Sequence, residues 1–164
     1  EASINDDSSC YVRLTGGTNN PIVNNMDYDF KIGKGILLRE GKDIAIFAAG
    51  ACVSDCIKVA NELMKENIDC AIINMHTIKP IDEEIIIRFT KNMKLIVTIE
   101  EHNTIGGLGS AVSEVLSKVK NTPQQLTLGV KNEYSKSGSY NFLKNYNRLV
   151  PDKIIEDIKK KLNE

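Results

Sequence analysis

Only two histidines occur in the chain, His76 and His102, and the second has the neighbours that proton chemistry needs. Glu100 and Glu101 precede it at the end of an apolar run, Lys94 to Glu100 (KLIVTIE), and Gly106-Gly107-Leu108-Gly109-Ser110 follows it. An imidazole beside carboxylates titrates near neutrality and can pass a proton or orient a substrate. Glu101 and His102 are therefore candidate substrate-binding residues. The competing reading has them satisfying backbone groups at a strand end or meeting another domain. The glycine run resembles a phosphate loop, because helix N-terminal amides favour anions. It lacks the Lys-Ser/Thr ending of a P-loop and the spacing of a dinucleotide fingerprint. Glycines there equally let a helix pack close to a sheet or a partner, and that reading is preferred. His76, in His76-Thr77-Ile78-Lys79-Pro80, has no evident partner, and Lys79-Pro80 shapes a connection rather than performing chemistry.

Cys52 and Cys56 are spaced as a metal or redox pair could be, but no second Cys pair or nearby His completes a site. With Cys10 and Cys70 they read as free, half-buried thiols of a reducing, intracellular compartment. A nucleophile elbow, a metal-ligand cluster and a glycosidase-type carboxylate pair are all missing from the sequence. No catalytic, cofactor-binding or metal-binding residue is assigned, and the residues by themselves describe a modest cleft edge.

The elements that would position that edge follow from periodicity. Lys34 to Arg39 reads as a strand, Glu40-Gly41-Lys42 as a tight turn, and Asp43 to Ala49 as a strand buried on both faces. If those two strands are neighbours, the short turn forces them antiparallel. A helix is expected from about Val53 to Asn67, with Cys56, Ile57, Ala60, Leu63 and Met64 on its inner face and Ser54 or Asp55 as its cap. Asp69 to Asn74 is a third strand, Asp82 caps a short helix running to about Lys91, and Lys94 to Glu100 is a fourth strand. The glycine run opens a helix reaching about Lys120, and Gln125 to Val130 is the fifth strand. Two closing helices are expected near Tyr140 to Tyr146 and Asp152 to Leu162. Strands alternating with helices predict an α/β domain with a mostly parallel sheet covered on both faces. Upstream, Cys10 to Leu14 reads as a short strand, and the Asn-rich Thr18 to Asn25 has turn and linker chemistry. Residues 1 to about 30 are thus expected to be the end of a preceding domain plus a linker.

Composition narrows the function. A net charge of −1 provides no electrostatic footprint for nucleic acid or an anionic membrane, so neither is an expected partner. The longest apolar runs are too short to span a bilayer, and no secretory signal pattern is visible. The chain opens at Glu1 rather than Met, so the natural N-terminus and any targeting segment are not read from it.

Two stretches carry a family resemblance: Asn74-Met75-His76-Thr77-Ile78-Lys79-Pro80-Ile81-Asp82 and Glu100-Glu101-His102-Asn103-Thr104-Ile105-Gly106-Gly107-Leu108-Gly109-Ser110-Ala111-Val112. They are similar to the C-terminal domain of the transketolase family, and above all to the smaller, C-terminal subunit of split bacterial and archaeal transketolases. Gly129 to Glu133 and Ser137 to Tyr140 match the last strand and the turn beyond it. Tyr11 to Leu14 and Phe30 to Gly35 match the end of the pyrimidine-binding domain and its linker. The resemblance implies domain limits of 1–32 for that end and linker and 33–164 for the C-terminal domain. It implies a three-layer α/β/α fold whose five-stranded, mostly parallel sheet has order 1-3-2-4-5 and an antiparallel first strand.

It also implies a parent enzyme that moves a two-carbon ketol unit between sugar phosphates with thiamine diphosphate and Mg²⁺. In the family the cofactor lies between the diphosphate- and pyrimidine-binding domains, so none is expected on this fragment. Its implied role is structural, dimer-packing or regulatory, its partners the upstream domains or an N-terminal subunit in a homodimer or heterotetramer, and its setting the cytoplasm. Many relatives carry Tyr-x-Arg-x-x-Arg-Gly, whose arginines help bind the sugar phosphate. Here the run is Tyr11-Val12-Arg13-Leu14-Thr15-Gly16-Gly17, so Arg13 stays as a candidate substrate-binding residue and Gly16 stands where the second Arg would be. Losing a bidentate clamp points to a substrate other than an ordinary pentose phosphate. The 2-oxo-acid dehydrogenase beta subunits and deoxyxylulose phosphate synthase share related domains. A stand-alone oligomerisation module is the non-enzyme alternative, and the upstream remnant argues against it.

Overall fold

The computed structural model describes residues 2–14, 21–24 and 28–164. Its sheet is built from β1 (Ile36–Arg39), β2 (Ile44–Ala48), β3 (Cys70–Asn74), β4 (Leu95–Asn103) and β5 (Gln124–Val130). The helices are α1 (Cys52–Lys65), α2 (Glu83–Thr90), α3 (Leu108–Leu116), α4 (Tyr140–Tyr146) and α5 (Pro151–Leu162). The strand order is β1-β3-β2-β4-β5. β1 runs antiparallel to β3, while β2 is parallel to both β3 and β4, and β4 is parallel to β5. The short turn after β1 therefore joins strands that are not neighbours, because β3 inserts between them.

Strand alternation sorts the core into two layers. Ile44, Ile46 and Ala48 of β2 pack with Cys56, Val59 and Leu63 of α1 and with Ile154 and Ile158 of α5. Ala45 and Phe47 of the same strand face Ile86 and Phe89 of α2 and Leu108 and Val112 of α3. Every residue of β2 and β3 is buried, which is why both read as unbroken apolar runs. Each fully buried Ile or Phe contributes about 1.5–3 kcal/mol.

Helix ends follow local chemistry. The Asp82 carboxylate accepts from the Ile85 amide at 3.2 Å, capping α2, and from the Gly35 amide at 3.0 Å, tying β1's approach to that cap. Pro151 occupies the first turn of α5, where its missing amide hydrogen costs nothing.

Several expectations need correction, and among them helix α3 ends at Leu116 rather than near Lys120, with the Ser117 hydroxyl donating to the Glu114 carbonyl. Cys10 to Leu14 forms no strand and lies exposed, because no neighbouring strand supplies its hydrogen bonds. Helix α1 starts at Cys52 after Ala51, with no side-chain cap: Ser54 Oγ donates back to the Ala51 carbonyl, and Asp55 is drawn into ion pairs. Met64 lies on the outer side of α1 and is half exposed. Finally, β4 runs three residues beyond Glu100, because Asn103 pairs with Val130 of β5. No helix among the described residues is long and apolar enough to cross a membrane.

Candidate functional site

The extension of β4 carries Glu100, Glu101 and His102 past the body of the sheet, and the two-residue period of a strand sends them to opposite faces. Glu100 falls on the side of α3. It is 5% exposed, and its carboxylate accepts from the Leu108 amide at 2.8 Å and the Gly109 amide at 2.9 Å. Those are the amides that begin α3, so a fixed negative charge caps the helix where its dipole is positive. The glycines fit this arrangement closely. A Cβ on Gly107 would lie 2.3 Å from Glu100 Oε2, and one on Gly109 would lie 2.4 Å from the Thr127 methyl of β5. The glycine run is therefore a packing device, and two amides that a bound anion would need already hold Glu100.

Glu101 turns to the other face, half-buried. The Tyr140 hydroxyl at the start of α4 donates to its Oε1, and Arg13 Nη1 donates to its backbone carbonyl at 3.0 Å. Burial, then the Glu101 carboxylate, pushes the Tyr140 phenol up. Lys144, one turn along α4, donates to Asp55 Oδ2 in an ion pair whose side chains are only 14% and 10% exposed. His102 is half exposed. Its Nδ1 lies 2.9 Å from the Asn103 carbonyl and 4.0 Å from Glu100 Oε2.

The structure thus gathers the three sequence-derived candidates, Arg13, Glu101 and His102, at the carboxyl end of β4. It adds Tyr140, which sequence reading missed because nothing local links it to a residue 39 positions upstream. Gly16 lies outside the described residues. His76 stays apart, beyond the end of β3. Its ring packs against Phe30, tilted by 30° with centroids 4.3 Å apart, and Nδ1 lies 2.8 Å from Thr77 Oγ1. Its Nε2 is buried with no hydrogen-bond partner among the described residues. Burial lowers its pKa, and the Lys34 backbone carbonyl partly opposes that shift. Cys52, Cys56 and Cys70 are fully buried rather than half-buried. Burial, followed by the charge of Glu101, pushes the Cys52 thiol up to about 12, and burial raises Cys56 well above its ordinary value. Neutral, enclosed thiols are poor nucleophiles.

Comparison with known proteins identifies the family and the fold. The family described as transketolase, C-terminal domain, matches residues 33–154. A protein of Methanocaldococcus jannaschii described as a transketolase C-terminal section is 38% identical over 156 residues, covering 92% of this chain and 48% of that protein. The 6-deoxy-6-sulfo-D-fructose transketolase subunit SqwH of a Clostridium species is 36% identical over 150 residues, 91% of this chain and 46% of that protein. The chain therefore spans about half the length of these relatives. A solved split-gene transketolase, described as an inactive beta4 tetramer, superposes with a TM-score of 0.81 and 34% identity, covering 87% of this chain and 46% of that one. By sequence and by fold, this chain belongs to the transketolase C-terminal domain family.

Proposed function

We propose that this chain is the C-terminal part of a thiamine-diphosphate-dependent enzyme that transfers a two-carbon ketol unit between anionic sugars, acting with upstream diphosphate- and pyrimidine-binding domains or an N-terminal subunit. The observation that supports this most is the family match across residues 33–154 combined with Arg13 held against the carboxyl end of β4. An arginine that makes one hydrogen bond among the described residues at such an edge suits the anionic end of a substrate. Relatives include a sulfosugar transketolase subunit, so a sulfonate or a phosphate at that end is in keeping with the missing second arginine at Gly16. In this reading Glu101 and His102, the other candidates at that edge, take sugar hydroxyls. The domain limits 1–32 and 33–164, assembly as a homodimer or heterotetramer, and a cytoplasmic setting complete the reading.

The described residues do not fit the cofactor itself. No group of three or more His, Cys, Asp or Glu among them could hold a metal ion, and Glu100 already occupies two amides at the start of α3. Mg²⁺ takes oxygen ligands in near-octahedral geometry, so the chain's role is to complete the assembly and to position substrate.

Titrating the isolated chain with thiamine diphosphate and Mg²⁺ is expected to give no saturable heat at micromolar concentration. Mixing it with the upstream domains as a separate subunit is expected to give ketol transfer. In that assembly, Arg13→Ala should raise KM for an anionic ketose at least tenfold, the scale of one charge-assisted hydrogen bond at about 1.5–3 kcal/mol. Tight cofactor binding by this chain alone, or an unchanged KM in Arg13→Ala, overturns the reading.

A further inference from the structure

Helix α1 follows β2 and packs on one face of the sheet, while α3 follows β4 and packs on the other. β2 and β4 are adjacent and parallel, so their connections leave in opposite directions and open a crevice at their carboxyl ends. That is the topological switch point of an open α/β sheet, where ligands enter. Both loops leaving it contain a glycine at positive φ, Gly50 at 63° and Gly106 at 81°. A Cβ added at either would meet nothing within 4 Å, so both loops border open space.

Helix α4 bridges this point. Tyr140 reaches Glu101 at the end of β4, and Lys144 reaches Asp55 in the first turn of α1, just after β2. Among the described residues the segment has one further side-chain tie to the sheet, near its start, where Asn103 Nδ2 donates to Asn132 Oδ1 at 3.1 Å. None of the helix's seven residues is buried, and residues 131–140 are exposed throughout. The Phe142–Tyr146 stack and the Tyr146–Glu133 bond lie within the segment itself. At either end the chain is fixed, by Gly129 in β5 and by buried Leu149 before α5. A helix this short does not hold itself in water. A segment with few buried contacts between rigid ends opens without global unfolding.

We propose that residues 131–147 form a strap across the β2/β4 switch point, with the Tyr140–Glu101 contact as its latch. While closed, the strap keeps the Glu101 carboxylate engaged; opening presents that carboxylate to the crevice. This rests on Glu101 being a ligand-edge residue, yet the strap's motion is measured without ligand, cofactor or partner, so failure of the ketol-transfer reading leaves the test intact.

Hydrogen exchange of the whole chain, read by mass spectrometry or NMR, follows the Leu143 and Asn147 amides, which bond the Ser139 and Leu143 carbonyls. These are expected to exchange far faster than the amides of β2 and β4. Tyr140→Phe should speed them about tenfold further, with β2 and β4 unchanged. In a Glu101→Ala background, Tyr140→Phe should add nothing, because the acceptor is already gone. Exchange of 131–147 only at the rate of the sheet, or a Tyr140→Phe effect that persists undiminished in Glu101→Ala, overturns the proposal. Lys144→Met supplies an independent check on the second anchor and is expected to loosen the same amides alone.

Discussion

Replacing Glu100 isolates the contact on which the geometry of the β4 edge depends. Its carboxylate is 5% exposed and accepts two buried amides, so Glu100→Ala leaves both donors without a partner. Each buried, unsatisfied donor costs about 1–3 kcal/mol. A partly buried charge lost from a helix N-terminus adds up to about 2 kcal/mol. Together these give about 4 kcal/mol, or roughly 8–16 °C in Tm for a chain of this size. Glu100→Gln keeps one carbonyl oxygen but turns its amino group toward the other amide, so about half that loss is expected. Gly107→Ala is itself destabilising, since its Cβ would lie 2.3 Å from Glu100 Oε2. In Glu100→Ala that obstacle is gone, so the double variant should lose less than the sum of the two single losses. Urea unfolding followed by far-ultraviolet circular dichroism measures each variant, with equal slopes confirming that only stability has moved. A loss below about 1 kcal/mol for Glu100→Ala, or strict additivity with Gly107→Ala, would refute the capping argument.

Asp82→Ala removes the α2 cap and the Gly35 amide's acceptor together, so a loss of about 2–3 kcal/mol is expected in the same unfolding experiment. At pH 8 a thiol reagent should titrate one cysteine quickly, exposed Cys10, and the other three only after denaturation. Burial raises Cys52 and Cys70 to about 12 from 9, so above pH 9 the unfolded chain releases those protons first. Stability should therefore be flat with respect to these thiols below pH 9 and fall from pH 9 toward 12, read as a declining urea midpoint. Deleting residues 1–28 should cost less than about 2 kcal/mol. Among the described residues, that stretch meets the rest of the domain through Arg13 at Glu101 and Val23 against the first core layer.

The alternation of strands and helices was legible from residues 33 onward because it is written in local periodicity. The fully buried β2 and β3 are unbroken apolar runs, α4 was placed at its observed limits, and Asp82 sits where a short side chain can reach its own helix's amides. Chemistry clustered around Glu100 to His102 could also be read, since these residues are contiguous. Their division of labour could not. Which carboxylate caps a helix and which accepts from Tyr140 depends on the face each residue takes, and on helices that arrive much later in the chain. The length of β4 was set by pairing with β5, and Cys10 to Leu14 stayed out of the sheet for want of a neighbour. Asp55 resembled a cap for α1 until Lys144, 89 positions away, became its partner. Periodicity records what a residue does to its own turn of chain. Hydrogen bonds and ion pairs between distant residues exist only after the sheet has brought strand ends together, and so the tertiary structure alone decided how these side chains are paired.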